Sequence, residues 1–217
     1  MDLGLKGKRA IVTGGTRGIG RAIVDLLAAE GCAVGFCARN QDQVEETVKA
    51  LTAKGTKAVG AAVDVGDGEA LVKFVNETAS ALGGLDIFVS NVSGAMMGGI
   101  DEATWRKGFE VDILGTVRGC ETALPYLEKS GAGAIVVVGT VAAVENAGPR
   151  RAYSGIKAAI LPYIKSLAQN LAPKNVRANV VSPDTIYFKG GVWEMIEKNM
   201  PERYKATLAR NPMGRMG

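Results

Sequence analysis

Short runs of β-branched and small apolar residues recur along this chain, each followed by a longer amphipathic stretch, and this alternation restricts the fold more than any other feature. The runs are Arg9–Thr13, Ala33–Ala38, Lys57–Ala62, Leu85–Ser90, Ala134–Val138 and Val176–Val181. Helical periodicity fills the spaces between them, near Gly18–Glu30, Gln41–Lys54, Gly68–Leu82, Asp101–Lys129 and Arg150–Leu171. Strands joined through helices are crossover-connected and therefore run parallel. Ile135-Val136-Val137-Val138 offers no polar face, as expected of a strand covered on both sides. The pattern predicts an α/β fold, a doubly wound parallel sheet in three α/β/α layers, with residues 1–217 forming one domain.

Composition excludes several chemistries. The chain has no histidine, which removes histidine-dependent triads and histidine-containing zinc sites. Cys32, Cys37 and Cys120 have no metal-like spacing and fit reduced thiols; Cys37, inside an apolar run, reads as buried filler, and no metal is expected. No apolar run reaches membrane-spanning length, and Met1-Asp2-Leu3-Gly4-Leu5-Lys6 lacks the basic-then-apolar order of a signal peptide. A cytoplasmic location without membrane association is the default expectation. The net charge of +4 comes from scattered basic residues with no interleaved aromatics, so no nucleic-acid partner is expected.

Two motifs carry the chemistry. Gly14, Gly18 and Gly20 follow the first predicted strand and open a helix, with spacing G-x-x-x-G-x-G. Glycines permit positive φ and close backbone approach, and a helix N-terminus presents free N–H groups to phosphate. The same spacing also serves a tight turn without a ligand. The second predicted strand ends in Arg39-Asn40, where an NAD site usually carries an acidic residue, and Arg17 lies inside the glycine turn. Two guanidinium groups beside one ribose favour a 2′-phosphate, so NADP(H) is the expected cofactor; the alternative is two solvated surface arginines. Far downstream, Tyr153 and Lys157 stand one helical turn apart. A cation beside a phenol lowers its pKa, which makes Tyr153 a candidate general acid/base for a carbonyl/alcohol pair.

With these residues in place, the chain from about Lys6 to Gly217 resembles a short-chain dehydrogenase/reductase of the 3-oxoacyl-reductase-like kind. Thr13-Gly14-Gly15-Thr16-Arg17-Gly18-Ile19-Gly20 matches the family's T-G-x-x-x-G-x-G loop, which implies a Rossmann fold and cofactor contacts from Gly14, Thr16, Arg17, Gly18, Ile19 and Gly20. Asp64-Val65 matches its D-V pair and implies an Asp64 contact to the adenine amino group. Asn91-Val92-Ser93-Gly94 resembles its N-N-A-G strand end, placing Asn91, Ser93 and Gly94 at the cofactor cleft. The resemblance makes Tyr153 the proton carrier, Lys157 the residue that lowers its pKa and binds the nicotinamide ribose, and Thr140, thirteen residues earlier, the counterpart of the catalytic serine.

Departures from the family pattern are equally informative. The family's helix asparagine falls on Asp112, and a carboxylate there is expected to stabilise the Lys157 ammonium and oppose phenolate formation, moving the activity optimum to higher pH. After the sixth strand the stretch Pro183-Asp184-Thr185-Ile186 is the implied cofactor contact, with Asp184 replacing a glycine and Phe188 standing where a threonine is usual. Residues 183–213, rich in aromatics, read as a substrate-binding lid or as a surface helix packing its aromatics inward. Met96, Met97, Val141, Ala143, Val144, Tyr187, Phe188 and Trp193 suggest an apolar pocket. Family members usually continue past Gly214-Arg215 with another helix and a seventh strand, so the sheet is expected to lack both here. The resemblance implies a homodimer or homotetramer through the 101–129 and 150–171 helices. It implies an NADP(H)-dependent oxidoreductase acting on a ketone or secondary alcohol, a small-molecule substrate. The alternatives are a non-catalytic nucleotide-binding regulator or scaffold, and a dehydratase or epimerase using the same Tyr/Lys pair.

Overall fold

Parallel strands leave no water-facing side, so each apolar run must be sandwiched between helices. The computed structural model describes residues 2–94, 99–145 and 151–217. Strands β1 (Arg9–Thr13), β2 (Ala33–Ala38), β3 (Ala58–Ala62), β4 (Ile87–Ser90), β5 (Ala134–Val138) and β6 (Arg177–Val181) form one six-stranded sheet. Their order is β3-β2-β1-β4-β5-β6, and every pairing is parallel. The six predicted strands are all present, three of them starting one or two residues later than the apolar pattern suggests.

Alternate residues of each strand feed two separate cores. Ile11, Cys37, Phe88, Ile135 and Val137 point toward one face, and Val12, Phe36, Val89 and Val138 toward the other. Helices α3 (Gly68–Leu82), α5 (Gly115–Lys129) and α6 (Ala152–Leu171) cover the first face, through Leu71, Phe74, Leu127, Ile160 and Ile164. Helices α1 (Gly18–Ala29) and α2 (Gln41–Thr52) cover the second, through Val24, Val44 and Leu51. Cys37 and Cys120 are buried, and burial pushes both thiols up to about 12, in keeping with inert filler.

Side-chain caps start three of the helices. Asn40 Oδ1 accepts from the Gln43 N–H, Asp67 Oδ1 from Ala70, and Asp101 Oδ1 from Thr104, at 2.9, 3.0 and 2.9 Å. At helix α1 the N-cap Arg17 makes no side-chain cap bond, so its first N–H groups stay open.

The expected continuous helix over Asp101–Lys129 is corrected. It consists of α4 (Glu102–Gly108), a π-helical segment at Phe109–Leu114, and α5. A π turn accommodates an extra residue and commonly marks a functional position; here it carries Asp112, whose side chain is fully buried and bonded outside the helix. Beyond β6, an extended stretch leads to α7 (Val192–Asn199) and α8 (Pro201–Arg210). Tyr187 and Tyr204 meet edge to face there, and the Tyr187 hydroxyl donates to Glu197.

Close helix-to-sheet contact at Gly35 supplies a test of the packing. A Cβ at that position would lie 2.1 Å from Thr78 Cγ2 on α3. Gly35→Ala is expected to lower stability by about 1–3 kcal/mol, read by urea denaturation. Adding Thr78→Ser, which removes that methyl, should restore most of the loss; strictly additive effects would contradict the contact.

Candidate functional site

The sheet reverses its winding between β1 and β4, and the crevice beyond their carboxyl ends is where open α/β sheets take ligands. The glycine turn lies there. Gly14 and Gly18 have φ of +74° and +54°, values glycine adopts without steric cost. Gly14 and Gly15 donate their N–H groups to the Cys37 carbonyl, fixing the turn to the end of β2. A Cβ at Gly20 would sit 2.1 Å from the Gly14 carbonyl oxygen, so only glycine lets α1 begin so close to the turn. Asn91 closes the other side. Its Nδ2 donates to the Thr13 and Gly14 carbonyls at 3.0 and 3.3 Å, and its N–H to Thr13 Oγ1 at 2.9 Å. Asn91 thus shapes the cleft by bracing backbone. Open N–H groups at an uncapped helix start, framed by glycines, fit the diphosphate of a dinucleotide.

Around this turn the predicted adenosine-side residues are gathered loosely. Arg17, Arg39, Asn40 and Asp64 are exposed, and neither arginine forms an ion pair among the described residues. Thr16 Oγ1 donates to Gln43 Oε1 at 3.3 Å, Asn40 caps α2, and Asp64 Oδ1 accepts from the Gly66 N–H. Val65 is buried beneath them. Ile19 is half-buried against the second core.

The buried centre of the site lies at the ends of β4 and β5. Lys157, on α6, is 3% exposed, and Asp112 is 0% exposed. Lys157 Nζ lies 3.0 Å from Asp112 Oδ1 and donates to the Val138 carbonyl at 3.2 Å. Asp112 Oδ2 accepts from the Gly94 N–H at 2.8 Å. Oδ1 has no aligned hydrogen bond, so its contact with the ammonium is one of charge. Gly94 must be glycine here, since a Cβ would press on Val111 at 2.9 Å. Ser93 Oγ is buried without a partner among the described residues, leaving a hydroxyl available at the crevice.

Tyr153 and Lys157 share α6 one turn apart, as the sequence predicts, and Thr140 joins them. Thr140 is buried, starts the 3₁₀ turn Val141–Ala143, accepts from the Ala142 N–H at 3.3 Å, and its hydroxyl acts on the Tyr153 phenol. The expected lowering of the Tyr153 pKa is corrected. Burial pushes the phenol above its ordinary value, the Thr140 hydroxyl opposes this, and the Asp112 charge adds to it. The cation that was expected to favour phenolate is engaged by Asp112 instead. The expected partnership of Asp112 with the Lys157 ammonium is present, between residues 45 positions apart.

The stretch after β6 borders the same crevice. The Pro183 carbonyl accepts from the Val141 N–H at 3.1 Å, holding the two loops together. Asp184 is exposed, while Thr185 and Ile186 are half-buried and bracket a backbone exchange: Gly217 donates to the Thr185 carbonyl, and Tyr187 donates to the Gly217 carbonyl. Phe188 was expected in a substrate pocket. Its ring lies instead against the glycine turn, where a Cβ at Gly18 would come within 2.6 Å of it, and against Gly191. Val141 and Trp193 are half-buried and Val144 is 69% exposed. Met96, Met97 and Arg150 lie outside the described residues. One contact the sequence gave no sign of is Trp105, whose ring packs over Gly155 between Tyr153 and Lys157.

Comparison with known proteins agrees with this geometry. A family model described as short chain dehydrogenase matches residues 8–192. The chain is 37% identical to an isoepoxydon dehydrogenase of Penicillium expansum, over 100% of this chain and 85% of that protein. Among solved structures, the L-sorbose reductase of Gluconobacter frateurii complexed with NADPH and L-sorbose superposes with a TM-score of 0.90 at 28% identity, covering 100% of this chain and 87% of that one. A short chain dehydrogenase from Burkholderia cenocepacia in complex with NADP superposes with a TM-score of 0.87 at 28% identity, covering 98% and 86%.

Removing one partner of a buried ion pair strands the other. Lys157→Met leaves the Asp112 carboxylate without its cation and is expected to lower stability by about 3–5 kcal/mol, measured by chemical denaturation. A loss below about 1 kcal/mol, the scale of an exposed pair, would show that the two charges do not depend on each other.

Proposed function

The chain belongs to the short-chain dehydrogenase family, and on that premise we propose that it is an NADP(H)-dependent oxidoreductase interconverting a small ketone and a secondary alcohol. The observation that carries the proposal is the half-buried Tyr153 phenol, under the influence of the buried Thr140 hydroxyl and one helical turn from Lys157, at the crevice bordered by the glycine turn. A phenol and a second hydroxyl converging on one point suit a carbonyl oxygen that gains a proton. The bound nicotinamide cofactor supplies or accepts the hydride.

In this proposal Tyr153 passes the proton to or from the substrate oxygen, and Thr140 holds that oxygen where charge develops. Lys157 binds the nicotinamide ribose hydroxyls. Gly14, Thr16, Gly18, Ile19 and Gly20 hold the diphosphate, with Arg17, Arg39, Asn40, Asp64 and Val65 around the adenosine. Asn91, Ser93 and Gly94 shape the ribose side, and Pro183, Asp184, Thr185 and Ile186 face the carboxamide. Exposed Arg17 and Arg39 are placed for a 2′-phosphate, and two structural neighbours are complexes with NADPH and NADP. Residues 183–213 form the lid over the substrate. A homodimer or homotetramer would use α4, α5 and α6; the exposure of Trp105 and Phe109, at 43% and 50%, supports that assembly. No helix among the described residues is long and apolar enough to cross a membrane, and a cytoplasmic location is proposed.

One observation favours a second reading. Phe188 covers Gly18, where the diphosphate would lie, and this suits a protein that holds nucleotide weakly and regulates without turnover. NADPH binding without consumption of any carbonyl would select it.

Screening NADPH oxidation against a carbonyl panel that includes L-sorbose tests the main proposal. Tyr153→Phe is expected to keep the wild-type NADPH dissociation constant while losing about 10²–10⁴-fold in turnover; wild-type turnover would remove Tyr153 from the chemistry. NADPH should bind more tightly than NADH by about tenfold or more, with replacement of both Arg17 and Arg39 by alanine erasing most of the difference. Equal dissociation constants in the wild type would overturn the NADP(H) preference.

A further inference from the structure

We infer that Asp112 is a positioning residue that sets the pH range in which the site works: by engaging Lys157 in a buried ion pair it keeps Tyr153 a phenol through the neutral range, so that alcohol oxidation gains only as the solution becomes alkaline. This rests on the oxidoreductase reading above and deepens it.

Three elements meet at Asp112. The π-segment turns its side chain inward, the end of β4 offers the Gly94 N–H at 2.8 Å, and α6 brings the Lys157 ammonium to 3.0 Å. With both oxygens engaged and no exposure to water, the carboxylate is held in place. An ammonium alone at this depth would present a full positive charge to the neighbouring phenol. Paired with a carboxylate at contact distance, it presents little more than a dipole, whose field falls off faster with distance. Asp112 therefore withdraws from Tyr153 the Lys157 cation that could stabilise a phenolate.

Among the described residues the one charge that acts on the phenol is that of Asp112; Arg151, at the N-cap of α6, is half-buried and forms no ion pair with a described residue. Among the described residues its own helix contributes Lys157, and the π-segment contributes Asp112, while Glu110 on the same segment is paired outward with Arg118. The end of β5 and the turn after it contribute the Val138 carbonyl and the Thr140 hydroxyl, neither of which carries charge. Helix α4 packs on α6 through Trp105, and its charged residues Glu102, Arg106 and Lys107 are exposed, the first two paired with each other. Burial opposes phenolate further, in the same direction as the Asp112 charge.

The chemistry follows from the protonation state. In reduction the carbonyl carbon gains a hydride with its two electrons, the oxygen gains the Tyr153 proton, and the alcohol leaves. The phenolate left behind recovers a proton from solvent. Oxidation runs through the same atoms in reverse and needs phenolate at the outset, to accept the hydroxyl proton as hydride departs to NADP⁺. A site that keeps Tyr153 as phenol is ready for the first direction at neutral pH and for the second only in alkaline solution.

The test combines spectroscopy with kinetics. Tyrosinate absorbance is titrated in cofactor-free protein, with Tyr153→Phe subtracted to isolate the Tyr153 signal, for the wild type and for Asp112→Asn. The wild-type signal should emerge only above the range of an ordinary phenol, about pH 10, and Asp112→Asn should move it to lower pH. In pH–rate profiles, wild-type reduction should be level through the neutral range, while oxidation climbs about tenfold per pH unit below the midpoint. Asp112→Asn should move to lower pH both the point at which oxidation levels off and the point at which reduction begins to fall. Wild-type Tyr153 ionising at or below an ordinary phenol overturns the inference, as does an Asp112→Asn oxidation profile that matches the wild type. Absence of turnover in both directions would defeat the oxidoreductase reading, while the absorbance titration still decides what Asp112 does to Tyr153. If Asp112→Asn does not fold, the wild-type titration decides alone.

Discussion

A parallel sheet with both faces covered can be approached by a ligand only at its ends, and the rest of this molecule follows from that constraint. Alternate side chains of β1, β2, β4 and β5 supply two cores, so helices must lie on both sides. Winding outward from β1 to β2 and β3, then back to β4 and β5, opens one crevice at the carboxyl ends of β1 and β4. The glycine turn, the Asn91 brace, the Gly94 strand end and the Thr140 turn all stand at carboxyl ends of strands. They gather because the topology brings those ends together, although β1 and β5 lie more than a hundred residues apart.

Within that crevice the dominant electrostatic feature is the Asp112–Lys157 pair. Burying two charges is costly unless geometry and further hydrogen bonds compensate, and here the Gly94 N–H and the Val138 carbonyl provide them. The pair also joins the π-segment, the end of β4 and α6 into one unit. Such a junction fixes the Lys157 side chain, which as a free four-carbon stem would sample many rotamers. Rigidity of this kind suits a site whose proton carrier must meet a substrate oxygen within hydrogen-bond distance.

The two sides of the crevice differ in character. Toward the adenosine, polar groups are exposed and loosely held, as Arg17, Arg39 and Asp64 show. Toward the reacting end, groups are buried and interlocked, as Thr140, Lys157 and Asp112 show. Exposed cations suit capture of an anionic ligand from solvent, and buried dipoles suit the discrimination of small changes in charge. Phe188 lies with its ring against Gly18. Glycine at both 18 and 191 leaves room for that ring, so the contact is shaped from both sides.

Much of this was legible without coordinates. All six strands, the helices between them, the glycine turn and the Tyr153–Lys157 spacing depend on local pattern: apolar runs, periodicity, and residues one helical turn apart. The π-segment was not legible, because Phe109–Leu114 has ordinary helical residues and its widening accompanies the inward turn of Asp112 to Gly94, a contact across 18 positions. The protonation of Tyr153 was legible only in part: Asp112 was expected to oppose phenolate, but the larger effect, burial of the phenol, depends on packing that no local pattern shows. The sequence by itself determined which elements form and which residue types stand at their ends, because backbone preference and side-chain periodicity act over a few residues. Only the tertiary structure decided which charge faces which, because Coulomb energy and desolvation depend on distance and burial, and neither is a property of position along the chain.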